Sequence, residues 1–413
     1  MIYDIKNFGA VADGKTLNTK AIQAAIDACT EAGGGRVLVS GGIFMTGTVI
    51  LKENVDLHIA ADGVLLASSN IEDFPERQDV RHVETEMLPR YRNACIIFAD
   101  ECNNICITGM GKIDCNGLSF VKLKDEYKGG WKYERIDAPT PPRAVFLTGC
   151  TNVRIENITM INQPSGWSYW IHDCDYVTCD KLKIIADVHY PNNDGIHINS
   201  SRNVTVSNCM ITSGDDCIVV RANNASLAEN KVCERVTVTN CSLTSYACGI
   251  RIGWLHDGVI RNCTFSNIVM TDTNTGISLQ LPWYYPREKV ADQGREATLI
   301  ENLSFSNIVM DSIYASPIRF FISPDTRVRC EAIRNIYFSG VRSRGLEFPW
   351  IVGRPEDTIK NITFSDCSFE KVSDEVLPAY RDHGAAAWDR PLNNTMFKHT
   401  ENVVFNNTSF TVK

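Results

Sequence analysis

A seven-residue phrase keeps returning from residue 100 onward: Asn, then apolar–polar–apolar, then polar–Asn–apolar. It reads NVRIENI at 152–158, NVTVSNC at 203–209, RVTVTNC at 235–241 and NCTFSNI at 262–268. It returns as NLSFSNI at 302–308, NIYFSGV at 335–341, NITFSDC at 361–367 and NVVFNNT at 402–408, with weaker copies at 104–110 and 176–182. From 152 onward, successive copies start 24 to 41 residues apart. The two-residue alternation inside each phrase is a strand signal, and strands this short bury no face on their own. Self-similarity at such a period, with no helix in the unit, excludes leucine-rich, ankyrin and tetratricopeptide repeats and predicts a parallel β-helix. The 413 residues then form one elongated all-β domain, 1–413, where length alone suggests two or three. Long steps mark excursions out of a coil at 66–92, 118–142, 222–233, 281–298 and 371–400.

The repeated Asn and Cys have structural readings. Asn152, Asn203, Asn262, Asn302, Asn335, Asn361 and Asn402 are expected to form a ladder, each amide bonding the next across stacked coils. Cys209, Cys241, Cys263 and Cys367 fall at or near the following turn, where small residues fit. Sixteen Cys with no Cys-x-x-Cys pair and no basic-then-apolar N-terminal stretch point to free thiols in a reducing, cytoplasmic setting, or to secretion if a leader has been removed. Cys102/Cys106 and Cys174/Cys179 lack a matching second pair, so no metal and no cofactor is expected. Segment 16–35 departs from the strand rule. Thr16 or Asn18 starts a helix with apolar Ala21, Ile22, Ala25, Ile26 and Cys29, ended by Gly33-Gly34-Gly35, which caps the open end of the solenoid. A net charge of −8 argues against a nucleic-acid partner, and no apolar run is long enough for a membrane helix.

The strand before each phrase carries the chemistry. NDGIHI at 193–198, DDCIVV at 215–220, ACGIRI at 247–252 and NTGISL at 274–279 align. Ile196/Ile198, Ile218/Val220, Ile250/Ile252 and Ile277/Leu279 read as inward pairs, so His197, Val219, Arg251 and Ser278 face outward on one sheet. At the strand entries stand Asp194, Asp215 and Asp216. Strict alternation would turn two of the three inward, so a turn or bulge at Gly214 is needed to bring them together. Three crowded carboxylates repel one another, which stability alone would not select, and one of them is expected to hold its proton unusually firmly.

On these residues the chain resembles glycoside hydrolase family 28, the polygalacturonase-like right-handed parallel β-helix enzymes. The opening Asp4-Ile5, Phe8-Gly9-Ala10 and Asp13-Gly14, the helix and the triple glycine resemble that family. Asn192-Asn193-Asp194-Gly195 resembles its Asn-Thr-Asp motif, and Gly214-Asp215-Asp216-Cys217 its Asp-Asp motif. Two motifs differ. Ala247-Cys248-Gly249 stands where the family has Gly-His-Gly, and Ser278-Leu279-Gln280 where it has Arg-Ile-Lys, so the chain is a divergent member. The resemblance implies an inverting glycosidase acting on an α-linked, pectin-derived oligosaccharide of galacturonate or rhamnogalacturonan type. Asp215 would be the general acid, and Asp194 and Asp216 would hold the attacking water. An inverting pair is expected ~6.5–9.5 Å apart.

Catalytic coils then lie at about 190–285, and substrate contacts are expected from His197, Arg251, Trp254, Trp283, Arg143, Arg287 and Arg319. Arg251, Arg287 or Arg319 would replace the missing carboxylate-binding pair, the last two from loops. His197 would replace the missing His, while His189 and His256 lie close in sequence. Trp254 and Trp283 are stacking candidates, whereas Trp170 reads as core. Exo action is favoured if the excursions wall off one end of the cleft. Two other classes stay open: a polysaccharide lyase, which needs a basic residue and usually calcium, and a non-catalytic carbohydrate-binding solenoid.

Overall fold

The computed structural model describes residues 1–75, 94–126, 131–135, 143–163, 166–224, 226–254, 257–281, 297–324, 328–377 and 396–413. Within them, 31 strands join one continuous parallel sheet that winds as a right-handed β-helix. Apolar residues of successive coils form the interior, and the fourth position of the repeated phrase shows how. Phe265, Phe305, Phe338 and Phe364 stack ring on ring inside the coils and Phe405 continues the stack at its exposed end, at centroid spacings of 4.9, 5.0, 4.8 and 5.2 Å. One identical residue per coil, repeated at strand spacing, gives offset-stacked rings without any long-range code.

The recurring Asn has a cause that precedes its ladder. Asn152, Asn203, Asn262, Asn302, Asn335, Asn361 and Asn402 all adopt left-handed backbone, with φ between 54 and 58°. Asn tolerates that region better than other residues carrying a Cβ, so it turns the chain from one face of the coil to the next. The expected ladder is continuous only from Asn262 onward, because Asn152 donates to Asn103 (2.8 Å) and the coils on either side of Asn203 carry Tyr176 and Arg235 at this corner. Asn302 donates to Asn262 (3.2 Å), Asn335 to Asn302 (3.1 Å), Asn361 to Asn335 (2.9 Å) and Asn402 to Asn361 (2.9 Å). Such corners let a single strand such as Val259–Leu281 pass over several faces, bending at Asn262, Asn267 and Asp272.

The N-terminal helix spans Thr19–Glu31 and buries Ile22, Ala25, Ile26 and Cys29 in the same core. Asn18 sits at its N-cap without a side-chain capping bond. Its amide instead accepts from the Val11 N–H (2.7 Å) and donates to the Thr16 carbonyl (2.7 Å), tying down the preceding loop. All sixteen cysteines are free, and Cys209, Cys241, Cys263 and Cys367 are buried as expected. Among the described residues no helix is long and apolar enough to cross a membrane.

Candidate active site

One outward column runs along the sheet that carries the acids. In register from coil to coil stand Phe98, Phe146, Trp170, His197, Val219, Arg251, Ser278, Arg319 and Trp350. The column changes character half-way. Phe98, Phe146 and Trp170 form an apolar cluster separate from the coil interior, with Trp167 packed against it. Trp170 is therefore buried on the outer face and does not belong to the core proper. Trp167 and Trp170 stack at 4.3 Å, and the Arg143 guanidinium lies over both rings, 4.6 and 5.1 Å from their centroids. Beyond Val219 the column becomes cationic and polar, with Arg251, Ser278 and Arg319. Arg319 stands in the strand Thr298–Ile322, so the loop position expected for it is corrected.

The three acids lie between these halves, in turns that enter adjacent strands. Asp194 precedes Ile196–Asn199, while Asp215 and Asp216 precede Ile218–Arg221. Because all three belong to turns, strand parity does not constrain them. Gly214 is needed for crowding and has no left-handed backbone: a Cβ there would meet the Tyr190 carbonyl at 2.3 Å. Asn193 locks the two turns together, accepting from the Gly214 N–H at 2.6 Å and donating to the Asp187 carbonyl at 3.0 Å. The Asp215 carbonyl is pinned by the Ser213 and Ser245 hydroxyls, each at 2.6 Å. One oxygen from each acid then lies within 4.8 Å of the other two. This is tighter than the ~6.5–9.5 Å expected of an inverting pair, because neighbouring turns inherit the coil spacing of about 4.8 Å.

Their environments differ. Asp215 is held by the Asn192 amide (3.0 Å) and by the Asp216 N–H (3.0 Å). Burial, reinforced by the charge of Asp216, pushes it up to about 7, with Arg251 pulling the other way. Asp194 is raised well above the usual carboxylate range by burial, then by Asp215 and Asp216. Asp216 instead has a cation: Arg251 Nε and Nη2 donate to its two oxygens, the second at 3.2 Å. A guanidinium thus meets the cluster directly.

His197 stands with its Nδ1 3.5 Å from Asp194, its ring against Trp167 and Trp170 at 4.5 and 4.4 Å. Burial, then Arg221, Arg143 and Arg251, hold it well below the usual imidazole value, so it is neutral. Neither of its ring nitrogens, nor Asp194 Oδ1, finds a hydrogen-bond partner among the described residues. Arg251, expected to meet a substrate carboxylate, has Asp216 as its first partner, and Trp254 supports the guanidinium at 4.4 Å. Gln280 is best oriented with its carbonyl toward Arg319, accepting from Nε at 2.7 Å and Nη2 at 2.6 Å. Trp283, Arg287 and His256 lie outside the described residues.

Sequence reasoning missed the hairpin in the 118–142 excursion. Val121–Leu123 pairs antiparallel with Tyr133–Arg135. It sets the Trp131 indole N–H on the Gly214 carbonyl (2.8 Å), one residue from Asp215, and Tyr133 edge-on to Tyr190 at 4.6 Å. The only signal was a Trp and a Tyr within an otherwise polar excursion.

The sequence profile of glycosyl hydrolases family 28 matches residues 84–235, the stretch that includes all three acids. The match covers 84–235 alone, so over that stretch the chain is similar to family 28. Among similar proteins, a probable polygalacturonase of Vitis vinifera is 29% identical over 290 residues, 66% of this chain and 56% of that protein. The chain therefore spans little more than half the length of the grapevine relative. An exopolygalacturonase of Zea mays is 24% identical over 373 residues, 83% of this chain and 85% of that protein. The fold matches the crystal structure of a hyperthermoactive exopolygalacturonase from Thermotoga maritima, with TM-score 0.72 at 20% identity, covering 98% of this chain and 92% of that one.

Proposed function

We propose that this chain is a family 28 inverting glycosidase that cleaves an α-linked, pectin-derived oligosaccharide containing uronate. The observation that carries the reading is the split within the acid cluster. One carboxyl, Asp215, is pushed up to about 7, while its neighbour Asp216 is paired with a guanidinium. An acid that still holds its proton near neutrality, beside a carboxylate paired with a guanidinium, is the pair that glycoside hydrolysis needs. Asp215 gives its proton to the glycosidic oxygen as the bond from C1 to that oxygen breaks. Water attacks C1 from the opposite side and loses its proton to Asp216, with Asp194 helping to hold it. Solvent exchange then returns the proton to Asp215.

Inversion is preferred although the acids stand close together. Asp216, with both oxygens turned to Arg251, is a poor covalent nucleophile, yet its remaining lone pairs can accept a proton from water. The unpartnered Asp194 Oδ1 and His197 nitrogens are buried polar groups of the kind a bound sugar hydroxyl satisfies. Arg319, backed by Gln280 and Ser278, supplies the positive charge for a substrate carboxylate, as the polygalacturonase relatives suggest. The Trp131 hairpin leaning on the Asp215 turn favours a cleft closed on one side, and so exo action. A lyase or a non-catalytic binder has no need for a protonated acid beside an ion-paired one.

The test is incubation with a panel of polygalacturonate, rhamnogalacturonan and neutral oligosaccharides. New reducing ends are expected from the uronate-containing members, and they should be absent with Asp215→Asn. An unsaturated product absorbing in the ultraviolet would instead indicate a lyase. Sugar binding with no new ends would indicate a binder.

A further inference from the structure

We infer that Arg251 is a positioning residue that assigns the base role within the cluster, clamping Asp216 as its charged member and leaving the proton to Asp215. The inference rests on the catalytic reading above and adds to it the reason why these three carboxylates are not interchangeable. Three equivalent acids within 4.8 Å can distribute their protons in several ways of similar energy. A fixed cation beside one of them removes that degeneracy.

The geometry provides such a cation. Arg251 projects from the strand Cys248–Ile252, in register with Val219 on the coil of the acids and with Ser278 on the next. Its Nε bonds one oxygen of Asp216 and its Nη2 the other, a bidentate fork that fixes the carboxylate plane as well as its charge. The Trp254 ring at 4.4 Å supports the guanidinium, and Cys248 Sγ lies 3.5 Å from Nη2. Both partners of the ion pair are nearly excluded from solvent, so screening weakens it little. Among the described residues, the other charged or titratable groups facing this pair are Asp194 from the preceding turn with His197 beside it, Asp215 from the same turn, and Arg319, whose Nη2 lies 3.9 Å from Cys248 Sγ. His197 is neutral, so it does not compete for the charge. Raised values for Asp215 and Asp194, both traced in part to the charge on Asp216, agree with the assignment.

Arg251→Met and Arg251→Lys test the inference through the pH dependence of hydrolysis. The base must be ionised, so activity falls below its pKa. Removing the cation raises that pKa, and the acidic limb of kcat/KM should move up by about one pH unit or more. In Arg251→Met, kcat should fall by about a hundredfold or more, with KM nearly unchanged. Arg251→Lys should restore part of both, and it carries the test if the Met variant fails to fold by circular dichroism. A raised KM with an unmoved pH profile would show instead that Arg251 binds substrate, and would overturn the clamp. If the wild type hydrolyses no sugar offered, the functional reading fails while the clamp is still tested. Carbon-13 NMR of labelled Asp carboxyls, with Asp216 assigned by its loss in Asp216→Asn, should show Asp216 titrating at higher pH in Arg251→Lys. An unchanged titration would refute the inference.

Discussion

Replacing Asp215 by Asn should make the protein more stable at neutral pH while abolishing turnover. Asp215 moves from 3.8 in an unfolded chain to about 7 in the fold. Between these values the folded state holds a proton that the unfolded state has released, so stability falls as pH rises. Stability associated with this group is fully present below about 3.8 and has been lost once pH passes about 7. A shift of about three units corresponds to about 4 kcal/mol at most, and the partial exposure of Asp215 lowers the expected figure to about 2–3 kcal/mol. For a chain of this length the unfolding entropy makes each kcal/mol worth about 1 °C, so Tm should rise by about 2–3 °C at pH 8. The amide keeps an acceptor for the Asp216 N–H, and the Asn192 amide can turn to face the new donor. Differential scanning calorimetry of wild type and variant from pH 4 to pH 8 reads the effect. The two should coincide near pH 4 and diverge as pH rises, levelling off above 7. Parallel curves would refute the raised acid, and hydrolysis by the variant at the wild-type rate would refute its role.

Other parts of the account are testable in the same way. Wild-type kcat/KM should fall as pH rises through about 7, because the acid must be protonated; a profile flat to pH 9 contradicts this. Arg319→Ala should raise KM for uronate oligosaccharides about tenfold or more while changing kcat less, as measured by initial rates, since it removes a charged contact of about 1.5–3 kcal/mol. Asn193→Ala strips the buried Gly214 N–H and Asp187 carbonyl of their partner, so urea unfolding should show a loss of about 1–3 kcal/mol together with reduced kcat. Phe305→Ala, in the middle of the ring stack, should cost about 3–5 kcal/mol by the same measurement and leave the site chemistry unchanged in what survives.

Much of this architecture is legible in the sequence because a solenoid repeats its solution. The NVRIENI-type phrases mark one strand and one corner per coil, and the inward Ile pairs beside Asp194 and Asp216 follow from alternation. Outward residues were harder to read. Tyr169–His172 and Ile196–Asn199 are buried on both faces, so alternation cannot tell interior from cleft, and Trp170 reads as core. The corner Asn residues read as a ladder, but their left-handed backbone carries no separate sequence mark. Contacts between distant coils or excursions left no local trace. Arg319 reaches the cleft column two coils beyond Arg251, and Trp131 arrives from a hairpin outside the solenoid. The Arg251–Asp216 pair joins residues 35 positions apart through register, and only the stacking of coils reveals it.

The central claim is that Asp215 and Asp216 act as acid and base on a water-mediated, inverting cleavage. Proton NMR of the first sugar released from an α-linked galacturonate oligomer, recorded before mutarotation, tests it directly. The account predicts that the β-anomer appears first, with the α-anomer growing in later. An α-anomer formed first would contradict it.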